Sequence, residues 1–487
     1  MPTAPYGSWR SPIDAALVAS GGVSLDELVV DGDTLFWLEG RPLEGGRQVL
    51  CRSAGDQPPR EQLPPQFNVR TRVHEYGGGS YAVHRGTVLF SNFSDQRFYR
   101  QDPDSEPRPI TPEPAAPAAL RYADATLDPD GAWLVCVRES HDGAEVTNEL
   151  VALPADGSAS PRVLAAGRDF YASPRLDPSG RRLAWLEWDH PRMPWDGTEC
   201  KLAGFDPVSG RLEGDPALVA GGPDESVAQP AWSPDGVLHF VSDSSGWWNL
   251  YRAGDGRAEP LAPLNAEFAM PQWTLDQSTY AFLPDGTIAC VHGRGPVWRL
   301  GLIAAGAGGV TPLDLPFTAY YPPRLRTTAD GRIATFGGYT TLCALTFHDV
   351  FAAGASYFGV ADAETLARDT HKFESRYLDS LIGPYPQAAE LYRQRSPIHH
   401  TELLSCPVIL LQGLEDAVVP PAQAERMASS LEAKGIPHAY LAFDGEQHGF
   451  RGASTIRRAL EAELYFYGRI LGFDPADQVE PVAIRNL

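Results

Sequence analysis

Leu127-Asp-Pro-Asp-Gly131, Leu176-Asp-Pro-Ser-Gly180 and Trp232-Ser-Pro-Asp-Gly236 are copies of one phrase: an apolar strand, a tight turn ending in glycine, a second apolar strand. Leu283-Pro-Asp-Gly286 and Thr328-Ala-Asp-Gly331 repeat it in shortened form, and weaker copies end at Gly32 and Gly86. Each copy reads as a hairpin. Proline presets φ at the turn, aspartate bonds nearby backbone, and glycine takes positive φ. The flanks Trp133-Leu-Val-Cys-Val137, Leu183-Ala-Trp-Leu186 and Leu238-His-Phe-Val241 are strand-like. Successive turn glycines stand 45 to 56 residues apart, the length of one four-stranded propeller blade. Seven copies predict a seven-bladed β-propeller over residues 1–332, its last blade incomplete. The competing architecture, a β-sandwich with coincidental Asp-Gly turns, does not account for the near-regular spacing.

The remaining residues, 333–487, follow a different rhythm. A helix is expected over 338–347 and a strand over 355–360. Pro407-Val-Ile-Leu-Leu411 is a continuous apolar run, the mark of a strand buried on both faces of a parallel sheet. Residues 422–434 read as a helix and 438–443 as a strand. The last helix carries Ile456, Leu460, Leu464, Tyr467 and Leu471 on one face, with Ser454 as its expected N-cap. Strand alternating with helix predicts part of a doubly wound α/β domain.

Composition narrows the classes of function. The chain has 487 residues, enough for two domains, and its 43% hydrophobic and 21% charged residues are a globular balance. A formal net charge of -22 argues against nucleic acid or an anionic membrane as partner, because both demand basic patches. The first thirteen residues lack the apolar core of a signal peptide, and no stretch has the length of a membrane helix. The six cysteines are scattered and form no C-x-x-C pair, so buried thiols in a reducing cytoplasm are expected. No motif calls for a cofactor. His399-His400 has no carboxylate or cysteine at ligand spacing, so no metal is expected there.

Two segments carry chemistry. Gln412-Gly-Leu-Glu-Asp416-Ala-Val-Val-Pro420 follows the apolar run directly, which places Asp416 at the rim where α/β active sites form. Gly445-Glu-Gln-His448-Gly-Phe450 follows the strand over 438–443. An aspartate after a strand is often only a helix cap, and a lone loop histidine often does nothing. Together, in the order Asp then His at the end of an α/β fold, they match the last two members of the α/β-hydrolase triad. Asp416 would orient His448, and His448 would act as general base.

Longer motifs point the same way. Arg70-Thr-Arg-Val-His-Glu-Tyr-Gly-Gly-Gly79, Trp185-Leu-Glu-Trp-Asp-His-Pro-Arg-Met-Pro-Trp-Asp-Gly197 and Trp247-Trp-Asn-Leu-Tyr251 stand in the propeller. Gly337-Gly-Tyr-Thr-Thr-Leu342, Asp369-Thr-His-Lys-Phe-Glu-Ser-Arg-Tyr377 and Ser396-Pro-Ile-His-His400 stand in the tail with the Asp416 and His448 segments. The chain resembles the acylaminoacyl-peptidase and dipeptidyl-aminopeptidase branch of the prolyl oligopeptidase family along nearly its whole length. The resemblance implies a serine peptidase whose propeller restricts access to short peptides. It carries Asp416 and His448 over as triad acid and base.

The sequence departs from that family at the nucleophile. The family's elbow looks like Gly-Gly-Ser-Ala-Gly-Gly followed by tyrosine. Here the text reads Arg332-Ile-Ala-Thr-Phe-Gly-Gly-Tyr339, and Thr335 stands where serine should be. Ile333 occupies a position that needs a small residue, and threonine tolerates strained backbone poorly. No other G-x-S-x-G occurs; Gly354-Ala-Ser356-Tyr-Phe-Gly359 has the wrong spacing. The text implies a deletion with its junction near 332–337, removing the rest of the seventh blade, the first hydrolase elements and one oxyanion donor. A natural loss, a mis-assembled gene and an engineered deletion all fit. Three readings of function follow: a peptidase by descent that is impaired as written, a non-catalytic propeller that binds peptide or protein, and a product with no stable role.

Overall fold

The computed structural model describes residues 14–55, 57–143, 145–254, 256–304, 308–315, 319–320, 324–335, 354–399 and 406–487. The chain divides into two compact units. One comprises Leu25–Glu39 and Gln48–Thr340; the other comprises Met1–Ser24, Gly40–Arg47 and Thr341–Leu487.

The blades of a β-propeller form six four-stranded antiparallel sheets, over 24–61, 81–109, 120–165, 170–221, 227–260 and 280–312. A two-stranded ladder follows, Leu325–Thr327 with Ile333–Thr335. The seventh turn, ending at Gly331, therefore joins two strands among the described residues, where the other six turns lie in four-stranded sheets. All seven turn glycines hold positive φ, between 61° at Gly32 and 85° at Gly331. That backbone is open to glycine at no steric cost. The side chain that closes the turn stands at its first position. Asp128 Oδ1 accepts the Trp133 N–H at 2.7 Å, Ser233 Oγ the Val237 N–H at 3.0 Å, and Thr328 Oγ1 the Arg332 N–H at 2.9 Å.

A second device recurs in the first strands of the first, third and fifth sheets, and Ser173 in the first strand of the fourth shares the backbone with a φ of 53°. Glu27, Asp124 and Gln229 take φ of 48°, 53° and 53°, which side chains rarely adopt. Each reaches the next sheet. Glu27 accepts the Ser80 N–H at 2.6 Å, Asp124 the Ser173 N–H at 2.7 Å, and Gln229 the Thr279 N–H at 2.8 Å. Tyr280 then donates its hydroxyl to the Gln229 carbonyl at 2.7 Å, and Tyr81 donates to that of Glu27. The strained residue is held by bonds it makes one blade away.

First strands line a central cavity of about 590 Å³, to which Val29, Ala82, Thr126, Arg175, Trp232, Ala281 and Leu325 contribute from the six sheets and the ladder. A chain of charges runs between them. Arg175 bonds Asp124 at 2.7 Å and Asp276 at 2.8 Å, and Arg326 bonds the other oxygen of Asp276 at 2.8 Å.

The other unit is built on a three-stranded parallel sheet, in the order Gly354–Tyr357, Val408–Gly413, His438–Phe443. Side chains alternate across a strand, and the middle strand shows it. Ile409 and Leu411 pack with Ala459, Ala462 and Phe466 of the helix Ala453–Leu471. Leu410 packs with Met427 and Leu431 of the helix Ala422–Ala433. Both faces are covered, as the unbroken apolar run requires. Two expectations need adjustment. The first strand ends at Tyr357 because Phe358 turns the chain with a φ of 50°. The last helix begins at Ala453 with Gly452 as N-cap, so Ser454 lies inside its first turn. The helix expected over 338–347, like Gly337, Gly338, Tyr339 and His400, falls outside the described residues.

Candidate active site

Parallel pairing brings the carboxyl ends of the last two strands to one rim, Gly413 lying opposite Phe443. The loops that leave them touch. The Leu414 N–H donates to the Phe443 carbonyl at 3.0 Å, and the Glu415 N–H to the Glu446 carbonyl at 2.9 Å. Gly413 permits this approach. A Cβ there would stand 2.5 Å from the Glu446 carbonyl oxygen, closer than real Cβ atoms come.

Asp416 and His448 meet in these loops. His448 Nδ1 lies 3.0 Å from Asp416 Oδ2. The Asp416 side chain is fully buried, while that of His448 is 37% exposed. Burying a carboxylate is costly unless its oxygens are bonded. Oδ1 accepts the N–H groups of Val418 at 2.9 Å and Val419 at 2.8 Å. Oδ2 accepts from His448 and from Gln412 Nε2 at 3.3 Å. Gln412, itself fully buried, is anchored by donation to the Val419 carbonyl at 3.0 Å. An imidazole that donates from Nδ1 to a carboxylate presents Nε2 as its basic nitrogen. The pair can thus take a proton from a hydroxyl placed at Nε2 and stabilise the resulting imidazolium.

Aromatic rings wall the histidine. Phe358 stands 5.3 Å from the His448 ring and 4.8 Å from Phe450 between centroids. A bulky residue at positive φ is uncommon and is held by its surroundings. Here the Phe358 N–H is tied to the Leu411 carbonyl at 3.0 Å.

The remaining candidates stand on other elements. Thr335 ends the ladder strand Ile333–Thr335, opposite Leu325, and the residues that follow it fall outside the described ones. Ser356 stands in the strand Gly354–Tyr357 and lines a pocket of about 180 Å³ with Leu410, Gln412 and Met427. Cys200 and Cys290 are buried, and burial pushes both thiols up to about 12, which leaves them protonated and inert. Among the described residues no cluster of three potential metal ligands occurs. No helix among them is long and apolar enough to cross a membrane.

The two residues singled out in the sequence, Asp416 and His448, are brought together; Gln412, Phe358 and Glu446 beside them were not singled out. The signal for Gln412 was its place directly after the apolar run, still within the buried strand Val408–Gly413, where an amide must find buried partners.

Comparison with known proteins bears on this site. The sequence profile of the prolyl oligopeptidase family matches residues 334–474. A dipeptidyl aminopeptidase BIII from Pseudoxanthomonas mexicana is 30% identical over 122 residues, and dipeptidyl peptidase family member 6 from Caenorhabditis elegans is 29% identical over 124. These stretches cover 24% of this chain, and only 18% and 17% of the two relatives. Among solved structures, a Mycobacterium tuberculosis puromycin-hydrolyzing peptidase is 34% identical, with a TM-score of 0.90 over 99% of this chain and 100% of the other. A puromycin hydrolase is 31% identical, with a TM-score of 0.91 over the same shares. A mutant of puromycin hydrolase is complexed with PGG.

Proposed function

This chain belongs to the prolyl oligopeptidase family, and on that premise we propose that it derives from a serine peptidase of short peptides and, as written, lacks the serine. Asp416 is the triad acid and His448 the general base. The observation that carries this reading is their bonded pair at the rim of a parallel sheet, in a sequence with no G-x-S-x-G. The match to the prolyl oligopeptidase family supports peptides as the substrate class. The ladder ending at Thr335 is read as the first half of a seventh blade, with the junction of a deletion near 332–337. The division into a propeller over 1–332 and the C-terminal part of a hydrolase over 333–487 belongs to the same proposal, as does a cytoplasmic location.

Peptide hydrolysis by the 487-residue chain is expected at no more than background. Nucleophile, base and oxyanion donors act as a unit, and losing the nucleophile alone costs about 10⁶ in turnover in a well-studied serine protease. Loss of one oxyanion donor typically costs a factor of about 10² to 10³. The test exposes purified chain to a fluorophosphonate probe and to aminoacyl chromogenic substrates. Covalent labelling that disappears in His448→Ala would show a working nucleophile and overturn the proposal. Sequencing the DNA across codons 325 to 345, with intact mass of the native protein, decides whether a longer product restores the peptidase. A second reading, a propeller that binds peptide without cleaving it, draws support from the central cavity of about 590 Å³. Peptide binding that survives His448→Ala with no turnover would favour it.

A further inference from the structure

The loop that carries His448 contains a second buried carboxylate that the triad chemistry does not use. Glu446 is 6% exposed. Its two oxygens are divided between consecutive backbone amides: Oε2 accepts the Arg451 N–H at 2.8 Å and Oε1 the Gly452 N–H at 2.9 Å. Gly452 is the N-cap of the 19-residue helix Ala453–Leu471, which has no side-chain cap bond of its own. The first amides of a helix have no partner within it, and the helix dipole favours negative charge at that end. The carboxylate meets both needs from outside the helix.

The same residue grips the other half of the site. Its carbonyl accepts the Glu415 N–H at 2.9 Å, next to Asp416. The Arg451 guanidinium closes the turn from within, donating to the carbonyls of Gly449 at 3.0 Å and His448 at 3.4 Å. His448 is therefore enclosed by a loop whose start is fastened to the Asp416 loop and whose end is fastened to the start of a helix. Glu446 makes both fastenings.

We infer that Glu446 is a positioning residue, a clamp that holds the His448 ring on Asp416 by tying its loop to the helix Ala453–Leu471 and to the Asp416 loop. This rests on the reading of Asp416 and His448 as a bonded pair, and a helix cap that only stabilises the fold is the alternative to defeat.

The discriminating readout is the low-field proton resonance of an imidazole Nδ1–H bonded to carboxylate, followed by NMR in the full chain. His448→Gln assigns it by removing it. Asp416→Ala should abolish it. Glu446→Ala should abolish it or broaden it beyond detection, with the blade amides unchanged in hydrogen exchange. Glu446→Gln keeps one acceptor oxygen in the same volume, so the resonance should persist with solvent exchange about tenfold faster. A Glu446→Ala resonance at the wild-type position and exchange rate would overturn the clamp while leaving the pair intact. Absence of the resonance in the wild type would instead overturn the pair itself, and the clamp with it. Should Glu446→Ala fail to fold, Glu446→Gln decides: exchange at the wild-type rate refutes the clamp.

Discussion

The blades and the parallel sheet place their strand partners at very different distances along the chain. In a blade each strand pairs with the next one in sequence, and many turn back through a tight loop, as Trp133–Asp142 does on Glu145–Pro154. In the other unit Gly354 lies opposite Val408, and Val408 opposite His438, across long crossover segments. Antiparallel register is set by the turn itself, whereas parallel register must be set by packing of the crossover helices. The propeller thus repeats one locally specified unit. The parallel sheet depends on a few side chains on each face of one middle strand.

That contrast can be broken most directly in the cores. Phe466 and Phe240 are both fully buried, one against the parallel sheet and one in the fifth blade. Truncating either to alanine should cost about 3–5 kcal/mol. Hydrogen exchange should show Phe466→Ala releasing the amides of 408–413 and 438–443, and Phe240→Ala releasing those of its own blade. Equal loss of protection in both sheets from either variant would show that the contrast has no energetic meaning.

A pH test is sharper and smaller. Burial and the neighbouring charge of Asp26 push the Glu27 carboxyl up to about 7 from its ordinary 4.5, against the pull of Arg324 and the Ser80 bonds. The folded state then keeps a proton that the unfolded chain releases. Stability from this group is full below pH 4.5 and is lost as pH rises through 7. Denaturant titrations of Glu27→Gln at pH 4.5 and pH 8 should lack a decline on the order of 1–3 kcal/mol seen in the wild type. The opposite sign, or no difference, would refute the assignment.

The smallest effect lies in the other unit and runs the other way with pH. Asp362 caps the helix Ala363–Asp369, accepting the Thr365 N–H at 3.2 Å. Burial works to raise this carboxyl, but bonds from Thr365 and the charge of Arg426 outweigh it and hold it below 3.8. Its contribution is present above that value and lost as pH falls through the folded one. Asp362→Ala should cost about 1 kcal/mol at neutral pH, read as a shift in the denaturation midpoint, and the deficit should vanish in strong acid.

What could be read in the sequence follows the same divide. The turns were legible because glycine is the residue that positive φ selects, and all seven adopt it. Glu27, Asp124 and Gln229 adopt it too, but they share no residue type, and the bond that holds each one is made to a residue about one blade further on. No local pattern records that. Asp416 and His448 were legible from their place after strands and beside glycines. Glu446 was not, because a glutamate in a glycine-rich loop reads as solvated until the helix amides above it are known. Gln412 and Phe358 were hidden for a like reason: their partners lie in loops and strands that become neighbours only on folding.

The chain of charges along the central cavity bears on the order of assembly. The bonds from Glu27 to Ser80 and from Asp124 to Ser173 join sheets adjacent in sequence, so each can form as soon as the next blade has been synthesised. Arg175 to Asp276 is different in kind: it spans 101 residues and joins the fourth sheet to the segment entering the sixth. The Leu275 N–H, donated to the Gly77 carbonyl at 2.9 Å, likewise ties that segment to the one entering the second sheet. Long loops close slowly because chain entropy is lost before the contact is gained. A nascent chain can therefore zip blade after blade, and these two contacts can form only after residue 276 has been synthesised. Closure against the first sheet comes later still, when the ladder residue Ala329 donates its N–H to the Gly32 carbonyl at 3.3 Å.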